Sequence, residues 1–308
     1  MPCKRSIMDE EIRRSRERIS RRRALGLGGT IGLGALVTAC TGASRSKGAA
    51  PTPALSASST APSDVLSLLD QANTCVAARE ETQGPYWFDV DSIRSDLRED
   101  RPGTPLVLAV RAHDLSACTN GSAPTAIPNS VVEIWHCDAG GAYSGFESAS
   151  QGGPGGGGPG GGGPGGGGPG GGGSGGGGSG ATSDGSYSVG DSEASPTDDG
   201  TYLRGAQVAD RNGVVQFTTI YPGWYRGRTV HVHLKLHVDR KTVLTTQLYF
   251  DEAVNDAVFG TSPYDKHTGR ETRNEDDSIF DPSGLLTIRR RASGYLGVIN
   301  VGVNASLP

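Results

Sequence analysis

Short apolar or alternating apolar and polar runs recur along this chain between residues 106 and 303, with turn-forming residues between them. The segments 106–110, 131–135, 214–220, 229–238, 243–250, 285–290 and 296–303 read as strands, separated by turn signals such as Asp210-Arg211-Asn212-Gly213. One helical pattern precedes them: over 64–72, Val65, Leu68 and Leu69 fall on a single face. Several short strands with little helix predict an all-β fold, a β-sandwich of two packed sheets with long loops.

Two stretches break the pattern. Residues 40–63 are dominated by Ala, Ser, Thr, Pro and Gly, which bury too little surface to fold, so they predict a disordered tether ahead of the sandwich. Between 152 and 180 the unit Pro-Gly-Gly-Gly-Gly recurs and ends in Ser-Gly-Gly-Gly-Gly, where no side chain can specify a backbone conformation. Strand character resumes beyond it, so the tract reads as a flexible insertion inside one domain spanning 64–308. The polar, acidic residues 181–200 read as a continuation of the same mobile loop.

The first 39 residues read as a signal peptide. Basic residues crowd the chain up to Arg23, and 24–39 is apolar and Gly-rich but too short and weakly hydrophobic for a membrane span. Ser20-Arg21-Arg22-Arg23-Ala24-Leu25 is close to a twin-arginine export pattern, with Ala24 where a bulky aromatic is usual. Val37-Thr38-Ala39-Cys40 looks like a lipoprotein cleavage box, whose use would leave a lipid on Cys40. The expectation is an exported protein, extracellular or held at the cell surface, meeting a membrane only through that N-terminal anchor.

Removing residues 1–39 takes nine of 29 Lys+Arg and four of 33 Asp+Glu, which leaves a formal charge of −9. A nucleic-acid partner is thereby disfavoured. Cys75, Cys118 and Cys137 remain for an oxidising compartment, enough for one disulfide and one free thiol. Cys75 with Cys118 is the expected pair, since both lie in polar, loop-like surroundings while Cys137 continues an apolar strand pattern.

The chemistry is concentrated in Thr229-Val230-His231-Val232-His233-Leu234-Lys235-Leu236-His237-Val238. Period two puts His231, His233, Lys235 and His237 on one face of a strand and the aliphatic residues on the other. Two imidazoles at i and i+2 on a rigid strand can converge on one metal ion. Imidazole suits Zn, Cu, Fe and Ni alike, so the spacing leaves the metal open.

Two further segments carry tyrosines: Val131-Val132-Glu133-Ile134-Trp135-His136-Cys137-Asp138-Ala139-Gly140-Gly141-Ala142-Tyr143-Ser144-Gly145-Phe146, and Ile220-Tyr221-Pro222-Gly223-Trp224-Tyr225-Arg226-Gly227-Arg228 running into the histidine strand. With Glu81-Thr82-Gln83-Gly84-Pro85-Tyr86-Trp87 and Thr246-Gln247-Leu248-Tyr249-Phe250, they resemble the signatures of the intradiol ring-cleavage dioxygenases. The resemblance runs from about Cys75 to Asn300, outside the glycine tract.

That resemblance implies a non-haem Fe(III) held by Tyr143, Tyr225, His231 and His233, since anionic tyrosinates favour ferric over ferrous iron. It implies that Arg228 stabilises the anionic ring, that Tyr225 gives way to substrate, and that Tyr86 and Gln247 line the pocket beside Arg228. Trp135 is expected in the core, with His136 and Asp138 structural rather than ligating. The implied reaction is ortho cleavage of a catechol-type ring by O2 to a cis,cis-muconate, with a small aromatic diol and O2 as partners and a homodimer left open. Two other readings compete: a zinc or copper enzyme on the same strand, for which His237 is the nearby candidate third ligand, and a non-catalytic, surface-displayed β-sandwich that binds sugar or protein.

Overall fold

The computed structural model describes residues 62–72, 75–150 and 181–304. The signal peptide and glycine-tract readings fall outside the described residues, as does the tether reading except at Pro62 and Ser63, where a helix has already begun.

Two sheets form the fold. The first holds β1 (Pro105–Asp114), β2 (Thr125–Ala126), β5 (Val214–Ile220), β8 (Thr287–Arg291) and β9 (Gly294–Val303). The second has the order β4-β3-β6-β7, with β3 Val131–Trp135, β4 Arg204–Val208, β6 His231–Val238 and β7 Lys241–Tyr249. Pairing is antiparallel except between β1 and β9, which run parallel in the first sheet.

Side-chain alternation divides each strand between two environments. On β1, Leu106, Leu108, Val110 and Ala112 join the core between the sheets, against Val132 and Ile134 of β3 and Val232, Leu234 and Leu236 of β6. Ala109 points the other way, with Leu296 and Val298 of β9, and helix α1 (Pro62–Gln71) covers that outer face with Val65, Leu68 and Leu69. Each of those three aliphatic side chains contributes about 1.5–3 kcal/mol by leaving water. The predicted sandwich and the amphipathic face of the helix are therefore both present.

Boundaries moved where another group took the backbone donor. β6 begins at His231 rather than 229, because the Thr229 N–H donates to the Asp277 carboxylate (2.8 Å) instead of to a neighbouring strand. Leu286 donates to the Tyr249 carbonyl (2.9 Å) and Leu285 bridges to Tyr249, so β8 starts at Thr287. Sequence periodicity missed β4, which contains Gly205 at positive φ, and the helix α2 (Glu252–Phe259), capped by the Asp251 carboxylate on Ala253 N. Cys75 and Cys118 form a disulfide, with Cys137 free and buried.

The expectation for 181–200 is overturned. These residues lie over the polar face of β6, with Ser183, Tyr187 and Ser188 buried. Asp191 accepts from Lys235 Nζ (2.5 Å) and Thr242 Oγ1 (2.5 Å), while Tyr187 packs on His237. Polar composition reads as mobility only where no polar surface awaits it; here the outer face of the second sheet supplies one. No helix among the described residues is long and apolar enough to cross a membrane.

Candidate metal centre

Cross-strand register assembles the floor of the site. Trp135, His233 and Gln247 are neighbours across β3, β6 and β7, and His231 lies beside Tyr249. The Trp135 ring stacks on the His233 ring, with centroids 4.8 Å apart and planes within 3°. Gly84 closes over the same imidazole: a Cβ there would stand 3.3 Å from His233 Cε1.

The tyrosines arrive from two interlocked turns. After β3, Asp138 N–H donates to the Ala142 carbonyl (2.8 Å), and its carboxylate accepts from Gly140 N and Ala142 N, folding the Gly-Gly turn that lifts Tyr143 off the strand end. The second turn docks on the first, Gly223 N–H donating to the Asp138 carbonyl (3.0 Å). Both contacts are backbone to backbone: a Cβ at Gly223 would come within 2.5 Å of the Asp138 carbonyl oxygen, and one at Gly141 within 2.5 Å of that of Trp224. Gly141 also has φ +88°, a conformation L side chains rarely adopt.

The result is a cluster of four donor atoms. Tyr225 Oη lies 3.0 Å from His231 Nε2, Tyr143 Oη lies 3.4 Å from Tyr225 Oη and 3.5 Å from His231 Nε2, and the two Nε2 atoms are 3.2 Å apart. Two N or O donors bound at about 2.0–2.1 Å to one ion stand about 2.8–3.4 Å apart for angles between square and tetrahedral. Three of the four observed spacings fall in that range, and the Tyr143–His231 spacing of 3.5 Å lies just above it.

Tautomers agree. His231 Nδ1 is 2.6 Å from the Thr229 carbonyl, which can only accept, so the proton sits on Nδ1 and Nε2 presents a lone pair to the cluster. His233 Nδ1 is buried without a partner, leaving its Nε2 as the engaged atom. Burial holds both imidazoles well below the usual histidine range, in the neutral form that ligates. Burial likewise raises both phenols above the usual tyrosine range, reinforced at Tyr143 by Tyr225 and partly opposed at Tyr225 by Arg228. A bound cation reverses that balance, because it compensates the phenolate charge directly.

The donor set selects among metals. Among the described residues, no group of three or more His, Cys, Asp or Glu assembles that could hold an ion. His237, the candidate third histidine of a zinc or copper site, instead meets Glu133 (3.2 Å) and Thr242 (3.0 Å). Two hard phenol oxygens with two imidazoles suit a trivalent ion such as Fe(III).

Arg228 enters from the Tyr225 turn, its Nε donating to Asp277 Oδ2 (2.9 Å) and an NH2 proton to Gln247 Oε1 (2.5 Å). Gln247, fully buried, donates in turn to the Thr82 carbonyl (3.0 Å). Tyr86 packs its ring 5.0 Å from Tyr143 and 5.1 Å from Phe146. Trp135 is buried, His136 bonds Thr219 (2.7 Å) and Asp138 shapes its turn, so none of these three supplies a donor to the cluster.

Two contributors escaped sequence reading. Arg204 of β4 is buried and donates twice to Ser144 (2.8 Å each), bracing the residue after Tyr143. Asp277 lies in a polar loop 49 residues beyond Arg228, where no periodicity marks it.

Comparison with known proteins bears on the fold that carries this cluster. No protein-family model matches the chain, and no curated protein matches it. Among solved structures, an intradiol ring-cleavage dioxygenase from Tetranychus urticae matches at 26% identity and TM-score 0.56, over 75% of this chain and 96% of that one. A second dioxygenase structure matches at 27% identity and TM-score 0.58, with the same coverage of both chains.

Proposed function

From a chain whose structure matches the intradiol ring-cleavage dioxygenases, we infer an oxidoreductase that opens a catechol-type ring with O2 at a non-haem ferric ion. The observation that carries this reading is the meeting of Tyr143 Oη, Tyr225 Oη, His231 Nε2 and His233 Nε2 at ligand spacing. Those four atoms would hold the iron. A ferric ion held there would supply the Lewis-acid and redox chemistry that makes a catechol ring open to O2.

The chain's own residues do the rest. Tyr225 is the partly exposed member of the pair, so it is the phenol that yields to substrate, its Oη taking up a proton from a catechol hydroxyl. Tyr143, buried at 1% exposure and wedged against Tyr86, stays in place. Arg228 offers a fixed cation to the anionic ring, held on both sides by Asp277 and Gln247. Tyr86 and Gln247 border the substrate space, and buried Trp135, with Gly84 set against the same imidazole, shields His233 from water. Both atoms of O2 enter the product, a cis,cis-muconate-type diacid.

The test is the iron content and visible spectrum of the purified protein, before and after anaerobic addition of catechol. We expect about one iron per chain, a tyrosinate-to-iron band, and a shift of that band with catechol. Colourless protein carrying zinc would sink the reading.

Export and lipidation at Cys40 belong to the same proposal. They predict membrane-fraction enzyme that Cys40→Ala releases, and unchanged partition would reject the anchor.

A further inference from the structure

Asp277 closes the short turn Asn274–Asp276, with its side chain 1% exposed. Its Oδ2 accepts from Arg228 Nε (2.9 Å) and from Thr229 N–H (2.8 Å), and its Oδ1 accepts from Ile279 N–H (2.9 Å). The Thr229 carbonyl, on the far side of the same residue, accepts from His231 Nδ1. One carboxylate therefore holds the guanidinium and the residue that orients a histidine of the donor cluster.

The rest of the turn braces this contact. Thr229 Oγ1 lies 2.6 Å from Asn274 Oδ1, Asn274 Nδ2 donates to the Phe250 carbonyl (2.9 Å), and Asn274 N–H donates to Glu252 (2.7 Å). Gln247 grips the guanidinium from the opposite side. A free arginine has many rotamers open to it, and a fork held at two of its nitrogens has already lost most of that freedom.

We propose that Asp277 is a positioning residue for the ring-cleavage reaction: it pre-orients the Arg228 guanidinium and, through Thr229, the entry of the histidine strand. This rests on the function proposed above. Without the Asp277 carboxylate, the partly buried Arg228 cation would keep only the neutral Gln247 acceptor and would have to reorganise as charge develops on the ring.

The experiment pairs kinetics with a readout independent of turnover. In iron-loaded full-length protein, Asp277→Asn is expected to keep iron content while kcat falls about 10- to 100-fold and KM moves less than about 3-fold. In parallel, the Arg228 Nε–H resonance is followed in full-length protein given gallium(III), a diamagnetic trivalent ion, and identified by its loss in Arg228→Lys. Wild type should show slow exchange at Nε–H, accelerated about tenfold or more by Asp277→Asn.

Asp277→Glu keeps the charge and is expected to retain protection and recover part of kcat, which also serves if the Asn variant folds poorly. Unchanged kcat with unchanged exchange in Asp277→Asn overturns the proposal. So does equal loss of kcat in both variants with Nε–H still protected. Wild-type protein that turns over no catechol, yet loses Nε–H protection on Asp277→Asn, would overturn the enzymatic reading while leaving the hold of Asp277 on Arg228 intact.

Discussion

Gly141 faces the Trp224 carbonyl oxygen so closely that a Cβ would stand 2.5 Å from it. This contact joins the turn carrying Tyr143 to the turn carrying Tyr225, two segments 82 residues apart in sequence. Gly141→Ala must push the turns apart and also strain a left-handed backbone. We expect a loss of about 2 kcal/mol or more in chemical unfolding. Iron binding should weaken with it, and normal stability with a normal visible band would show that the turns do not need this contact.

Arg228 bridges Asp277 and Gln247 through two nitrogens of one planar group. Arg228→Ala is expected to lower kcat about 10²- to 10³-fold with iron content unchanged. Lysine, a point charge without the fork, should restore little of it. Recovery to near wild-type rates in Arg228→Lys, measured by oxygen uptake, would mean that charge alone suffices.

Asp89 accepts from Asp91 N–H (2.7 Å) through Oδ1, but its Oδ2 is buried without a hydrogen-bond partner. Burial, with the nearby Glu133, raises its pKa to about 7. Because the folded value lies above the unfolded one, folding favours the neutral acid. The stability it contributes is full below the ordinary carboxylate range and is lost as pH rises toward 7. Asp89→Asn keeps the Oδ1 acceptor and removes the charge, so it should stabilise by about 2–4 kcal/mol at pH 8 and change little below pH 4. Melting curves at both values decide it; a destabilised variant at pH 8 would show that the ionised carboxylate is welcome there.

The disulfide between Cys75 and Cys118 ties residues 43 apart in sequence, joining the segment after α1 to the loop after β1. In the chain-entropy account, a closed loop of that length contributes about 4 kcal/mol. Replacing both cysteines by serine should lower Tm accordingly, with reductant reproducing the shift in wild type and leaving the variant unmoved. Equal melting of all four samples would mean that the bond is absent from the folded protein.

Much of the fold was legible because strand periodicity is a local property. The alternation over 229–238 assigned His231, His233, Lys235 and His237 to one face, and the structure keeps that assignment. It did not reveal that the face is buried. Local polarity cannot tell a solvated surface from one covered by another polar segment, and so 181–200 read as mobile although Asp191 and Tyr187 engage Lys235 and His237. β4 was missed for a related reason: Arg-Gly-Ala-Gln-Val lacks an apolar alternation, and its Arg204 is buried through bonds to Ser144 that lie 60 residues back.

The sequence by itself determined the two sheets' apolar faces, the helical stripe that covers one of them, and the identity of the residues whose spacing resembles a metal site. The apolar faces, the helical stripe and the shared face of His231 and His233 follow from period-2 or period-3.6 patterning within a few residues, whereas Tyr143 and Tyr225 stood out only through the family resemblance. Tertiary structure alone decided that the two tyrosine turns interlock, that four donor atoms meet at 3.0–3.5 Å, that His237 pairs with Glu133 rather than joining them, and that Asp277 grips Arg228. Those relations join segments separated by tens of residues through backbone contacts and single hydrogen bonds, interactions that leave no periodic trace along the chain.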